Sequence, residues 1–216
     1  LAEQRIPKML TYLDAMAHCD GGLSFFNDSV DGVSPTIAKI NSYASKLGFK
    51  LSSSKLKKPL LFDHSSSGYF SAITGKNKLI FDAASIGPDY IPGHAHADTL
   101  AFELSIGKQR VIVNTGVSEY GLGFRRLKQR KTCSHNTVEI DGKDSTQVWG
   151  GFRVANRARI IKRFATINSK EEIELVRRMK FESLSLGKIK SNLNEAEPIL
   201  RDSNLISIDI KSVKSG

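Results

Sequence analysis

A chain of 216 residues can bury one sizeable hydrophobic core, or one core and a piece of a neighbour. With 40% hydrophobic and 25% charged residues it has an ordinary globular composition, and no stretch approaches the roughly 18 consecutive apolar residues of a membrane-spanning helix. The net charge of +10 favours anionic partners (nucleic acid, anionic lipid or an acidic polysaccharide) without choosing among them.

The first fifty residues read as helical. Met9, Leu10, Leu13 and Met16 recur at helical spacing, and Leu1 to Lys8, with Glu3, Arg5 and Lys8, does not read as a signal peptide. The chain does not begin with Met, which leaves room for an upstream segment. A loop containing Gly21 and Gly22 leads to Phe25, Phe26 and Asn27-Asp28-Ser29. Ser34-Pro35 then opens a second helix, with Ile37, Ile40, Tyr43, Ala44 and Leu47 as its stripe and Gly48 as its stop. Two short helices cannot bury their own faces, so residues 1–50 are expected to be the end of a larger helical domain. Cys19 and Cys133 suggest no disulfide framework and are expected to be buried free thiols.

After Lys50 the period changes. Ser52 to Lys58 reads as a polar linker or edge. Gly68 to Ile73, Lys78 to Phe81, Thr99 to Ile106 and Arg110 to Val113 are short β-type runs separated by turn signals such as Gly75-Lys-Asn and Gly107-Lys. Thr137 to Ile140 runs into Asp141-Gly142, a hairpin signal. Arg157 to Ile167, Ile173 to Phe181, Leu193 to Leu200 and Ile206 to Ile210 continue the pattern. The expected fold is therefore mainly β: an antiparallel β-sandwich of large sheets over residues 51–216, behind a short helical end-piece.

Pro92-Gly-His94-Ala-His96-Ala-Asp98 carries the sharpest chemistry. On an extended strand His94, His96 and Asp98 share one face, with Leu100, Phe102 and Leu104 continuing it into the core. Buried titratable groups must be satisfied by each other, a metal or a ligand, and this donor set suits Zn²⁺ or acid–base work. His135, in Ser134-His-Asn136-Thr, is the natural additional ligand from a neighbouring strand. Asn114, in Val113-Asn-Thr-Gly116, is a turn residue, a carbonyl ligand or a support for one. Tyr120 is an acid–base phenol or a packing and sugar-stacking ring. The basic run Arg125, Arg126, Lys128, Arg130 and Lys131 is a solvated face or an attractor for a polyanion. His18, after the first helix, suits the negative helix end and lies near the Asn27-Asp28 loop. His64, in a serine-rich turn, is expected to be exposed.

Residues Pro92 to Arg153, with GHAHADTLAFELSIG, VIVNTG, SHNTVEIDG and WGGFRV, resemble the sheet-domain signature of the heparinase II/III family. FFNDS at Phe25 to Ser29 resembles the end of its helical toroid. The resemblance implies an α/α toroid ending near residue 50, joined to a multi-sheet β domain. It also implies a polysaccharide lyase that cleaves uronic-acid polysaccharides by β-elimination in the periplasm or outside the cell. On this resemblance His94 approaches substrate, and His96 and His135 bind a structural zinc. Asn114 stands where the family commonly has a metal-binding Asp, so metal affinity is expected to fall. Tyr120 is the candidate second catalytic group, and Asp98, Arg125, Arg126, Arg130, Asn136 and Arg153 are candidates for substrate contact. Most remaining catalytic groups are expected from the missing toroid of the same protein, so this piece alone is expected to be inactive. The alternatives are a non-catalytic acidic-glycan-binding domain and a metal-dependent glycan hydrolase. Nucleic-acid binding finds no zinc-finger spacing or recognition-helix pattern.

Overall fold

A computed structural model describes residues 2–49, 60–64 and 66–160. Helix α1 (Ala2–Ala15) carries Pro7 inside it, and the Pro7 carbonyl accepts a hydrogen bond from Thr11 Oγ1 at 2.9 Å. Helix α2 (Ile37–Lys46) is capped by Thr36, two residues beyond the expected Ser34, and buries Ile37 and Ala44. The five strands β1 (Leu60–His64), β2 (Tyr69–Thr74), β3 (Asn77–Asp82), β4 (Phe102–Ile106) and β5 (Gln109–Ile112) form one antiparallel sheet in chain order. A long connection follows, containing helix α3 (Phe124–Arg130) and a 3₁₀ turn at Thr132–Ser134. It ends in a two-stranded ribbon of β6 (Gln147–Trp149) and β7 (Arg153–Ala155).

This architecture overturns the expected mainly-β sandwich of large sheets. The described residues form a small mixed α/β fold, 23% helix and 23% strand, with two small open sheets. The physical reason lies in side chains that compete with strand ladders for backbone partners. Asn136 Nδ2 donates to the Phe102 and Val113 carbonyls, Thr132 Oγ1 to Ala97 O and Thr137 Oγ1 to Thr99 O. Thr137 to Ile140 accordingly forms no strand. Its Asp141-Gly142 turn survives as an isolated Ile140–Lys143 bridge, with both turn residues at positive φ. Arg157 to Ile160 is irregular, and the runs expected beyond it lie outside the described residues.

The core sits between the sheet and the helical segment. Met16, Phe26, Ile80 and Ala101 pack together, with Tyr12 and Tyr69 against them. The sheet turns a partly polar face toward this core, because Ile80 is flanked across the ladder by Ser71 and Glu103, all three fully or almost fully buried. The expected phase of β4 is thereby reversed. Ala101, Glu103 and Ser105 are buried, whereas Leu100 and Ile106 are exposed.

Burying Glu103 demands partners, and the chain supplies them. Its Oε2 accepts a hydrogen bond from His18 Nε2 at 2.5 Å. Its Oε1 accepts from Phe25 N at 2.6 Å and Asn114 N at 3.2 Å. The other ring nitrogen of His18 bonds Ser105 Oγ. Lys78 Nζ is also buried and donates to Asp14 O near the end of α1; burial pushes its pKa down to about 8. Neither cysteine is paired, and Cys133 is exposed, contrary to expectation. Among the described residues no helix is long and apolar enough to cross a membrane.

His18→Ala leaves the Glu103 carboxylate buried without its imidazole, so urea unfolding should show a loss of about 3–5 kcal/mol. A loss below about 1 kcal/mol would mean that water replaces the histidine freely.

Candidate active site and metal centre

Pro92 to Leu100 is a loop, and this alone changes the expected geometry. Two tight turns, with Ala95 N bonded to Pro92 O and Ala101 N to Asp98 O, replace an extended strand. Its side chains consequently diverge. His94 is 69% exposed, whereas the His96 side chain is fully buried and Asp98 lies beneath it.

Both histidines meet one carboxylate. His94 Nδ1 and His96 Nε2 donate to Asp28 Oδ2 and Oδ1, each at 2.8 Å. The guanidinium of Arg126 grips the same carboxylate with two nitrogens, Nη2 reaching Oδ2 at 2.9 Å. Burial pushes the pKa of Asp28 up, but hydrogen bonds from His96, Arg126 and His94 outweigh it and hold the group below the usual carboxylate range. Arg126 also donates to Gly151 O and Gly93 O, and lies over the rings of Tyr120 and Phe152. Those rings stack at 6.3 Å, and Tyr120 meets His94 edge-on at 6.2 Å.

The Asn27-Asp28 loop is held against the segment after β5 by close backbone approach. Gly116 has φ +58°, and a Cβ there would lie 2.3 Å from Ser29 O. Only glycine allows Gly116 N and Val117 N to bond Phe25 O and Ser29 O. Asn27, itself at positive φ, donates through its backbone to Asp98 and accepts from His96 N.

Behind Asp28 lies a second cluster. His96, Asp98 and His135 each offer a ligand atom, all within 4.8 Å of one another, and can hold a metal ion. The fit rests on orphaned atoms: His96 Nδ1 and His135 Nε2 are buried without a hydrogen-bond partner. Asn114 Oδ1 faces His135 Nδ1 at 2.6 Å. Burial and the nearby His96 push His135 down to about 3, so its ring is neutral, the form that binds metal. Asp98 is pushed upward by burial. Asp82 rises to about 8, through burial and then the charge of Asp98.

The remaining predicted residues divide by exposure. Arg125 and Arg153 are exposed. Arg126 and Arg130, four apart on α3, point inward and are fully buried, Arg130 bonding the carbonyls of Ala95, Trp149 and Arg153. Asn136 is engaged with backbone, and His64 lies in β1 edge-on to Tyr12 instead of in an exposed turn. Sequence reasoning missed Asp28 as the hub and Glu103 as a buried support. The signals were faint: an acidic residue in a glycine-flanked loop, and a Glu alternating with Ala101 and Ser105.

Known structures share this fold. A heparan sulfate lyase, HepC, from Pedobacter heparinus matches with a TM-score of 0.53 at 20% identity, over 65% of this chain and 24% of that one. A heparinase III matches with a TM-score of 0.51 at 17% identity, over 65% and 27% respectively. Such identities speak for the fold alone, and this chain spans about a quarter of the length of those proteins. No curated protein matches. Residues 57–182, more than half of the chain, match the model of the heparinase II/III-like C-terminal family, and the chain belongs to that family.

Asp28→Asn leaves the buried Arg126 without its counter-charge and should lower stability at neutral pH by about 3–5 kcal/mol. Because the folded state depresses the Asp28 pKa, its contribution is present above the unfolded value, about 3.9, and is lost as pH falls further. Unfolding curves of wild type and variant should therefore stay separated from pH 8 to 5 and converge only in stronger acid. Convergence already above pH 5 would contradict the assignment of the effect to Asp28.

Proposed function

We propose that this chain is part of a polysaccharide lyase that cleaves a uronic-acid-containing acidic polysaccharide by β-elimination, with His94 as a catalytic residue. One observation carries this reading: the exposed imidazole of His94 is anchored through Nδ1 to a buried carboxylate. A carboxylate kept ionised accepts the Nδ1 hydrogen, so the Nε2 lone pair faces outward, where it can take up a proton.

β-Elimination needs a base for the C5 proton, neutralisation of the adjacent carboxylate and a proton for the leaving oxygen at C4. His94 Nε2 serves as the base. Tyr120, whose ring meets that of His94, is the candidate proton donor, and with Phe152 it offers a platform for sugar rings. Arg125 and Arg153 attract the polyanion from the surface. Arg126 and Arg130 act from inside, by neutralising Asp28 and fixing the histidine loop. Asn136 and Asp98 contribute by holding backbone and cluster. The other catalytic groups come from a helical toroid of the same protein, of which residues 1–50 form the end. Residues 51–216 belong to the family's C-terminal domain.

A structural zinc ion would be held by His96 and His135, with Asn114 beside them. The donor set of two imidazoles and an oxygen suits that ion. When bound, it would cross-link the histidine loop to the residue that follows the 3₁₀ turn, so that Asp28 and His94 keep their places. The acidic polysaccharide is met in the periplasm or outside the cell.

Incubation of the full-length parent protein with a panel of uronic-acid polysaccharides should raise ultraviolet absorbance, since elimination leaves a C4–C5 double bond conjugated to the carboxylate. His94→Ala should cut this rate about 10²–10⁴-fold. New reducing ends with no absorbance would contradict elimination and support hydrolysis. Binding without cleavage would support the stacked Tyr120–Phe152 surface as a non-catalytic glycan site.

A further inference from the structure

The proposed zinc centre leaves one question open, on which the following rests: which residue supplies its negative donor when position 114 is an amide. Two hydrogen bonds decide the histidine side. Thr115 N lies 3.0 Å from Asn114 Oδ1, and a backbone N–H donates only to oxygen, so the orientation of the amide is fixed. His135 Nδ1, 2.6 Å from the same oxygen, must therefore carry its hydrogen. The His135 lone pair is left on Nε2, which is buried and has no hydrogen-bond partner. By the same logic His96 donates Nε2–H to Asp28 and keeps its lone pair on Nδ1, also buried and without a partner.

Asn114 Oδ1 already accepts two hydrogen bonds, which occupy both of its lone pairs. Asp98 is differently placed. It is 1% exposed, receives Asn27 N at the long distance of 3.3 Å, and groups with His96 and His135, one ligand atom of each lying within 4.8 Å of the others. Two buried imidazole nitrogens without partners call for a ligand, and a divalent cation beside Asp98 would satisfy both. Bonds of roughly 2.0–2.1 Å in a tetrahedral site put donors about 3.4 Å apart, so an ion would need residues grouped this closely.

We infer that Asp98, with His96 Nδ1 and His135 Nε2, is the anionic ligand of a zinc-type divalent ion, and that Asn114 is a positioning residue that fixes the His135 tautomer. The carboxylate that the 114 position lacks is thus supplied from the histidine loop itself. The same ion would join Asp98, and through it the Asn27 turn, to the catalytic His94.

The test is a Zn²⁺ titration of the chelator-stripped full-length parent protein against a chromophoric competitor, with apo thermal unfolding alongside. Wild type should bind one ion. Asp98→Asn should weaken binding by more than about 100-fold, yet unfold no earlier than wild type without metal, because an amide of the same shape can still accept from Asn27 N. Asn114→Ala should cost about 10–100-fold, as removal of a ligand's hydrogen-bond partner does. Asn114→Asp should gain less than about tenfold, since the charge is already present, and this arm does not depend on Asp98→Asn folding. Unchanged binding in Asp98→Asn, or a gain of several hundredfold in Asn114→Asp, would overturn the inference while leaving the zinc reading intact. A wild type that binds no zinc would overturn both.

Discussion

One carboxylate governs the geometry of this molecule. Asp28 comes from the helical segment, yet its partners come from the loop after β3 (His94 and His96) and from α3 (Arg126). A buried anion would be prohibitive alone, and a buried guanidinium equally so. Together they neutralise each other, and the two-nitrogen grip sets their mutual orientation. The two histidines then donate toward a charge that is already balanced. This fixes which nitrogen of each ring is free: the outward nitrogen of His94, and the inward Nδ1 of His96. An exposed reactive imidazole and a buried metal ligand are thus defined by the same pair of oxygens.

A second polar system sits beneath the first. Glu103, from the sheet, ties His18 and Phe25 to Asn114, and Asn114 in turn faces His135. The apolar core around Ile80 and Phe26 is small, so much of the contact between helical segment and sheet is made by buried hydrogen bonds. Such networks are costly when half satisfied and specify one arrangement when complete. Among the atoms left over are His96 Nδ1, His135 Nε2 and Asn114 Nδ2, and both imidazole nitrogens belong to residues of the proposed metal cluster.

Local signals in the sequence carried the elements well where chain and structure share a period. Gly75 and Gly107 do close the β2–β3 and β4–β5 turns at positive φ, and Gly48 ends α2. Strand β1 and helix α3 were not foreseen, the first because it follows a polar stretch, the second because its arginines look like a solvated face. A lysine- and arginine-rich helix shows no apolar stripe, so inward-facing Arg126 and Arg130 cannot be told from outward Arg125 by hydropathy. The histidine loop misled for a related reason. Alternation in HAHAD is compatible with a strand, but its backbone closes in tight turns, while Arg130 and Thr132 take its carbonyls at Ala95 and Ala97. Donor types singled out both histidines of the cluster, but the expected third ligand was Asn114, whereas the structure groups Asp98 with them. The role of Asp28 was not, because nothing in a sequence says which carboxylate will meet a histidine 66 residues away.

The central claim is that a metal ion completes the buried cluster and thereby holds the Asp28–His94 pair in place. The most direct measurement is anomalous diffraction at the zinc absorption edge from crystals of the full-length protein grown without chelator. The account predicts one strong peak within bonding distance of His96 Nδ1, His135 Nε2 and an Asp98 oxygen. A cluster filled by water, or imidazoles hydrogen-bonded directly to Asp98 with no anomalous scatterer between them, would contradict it.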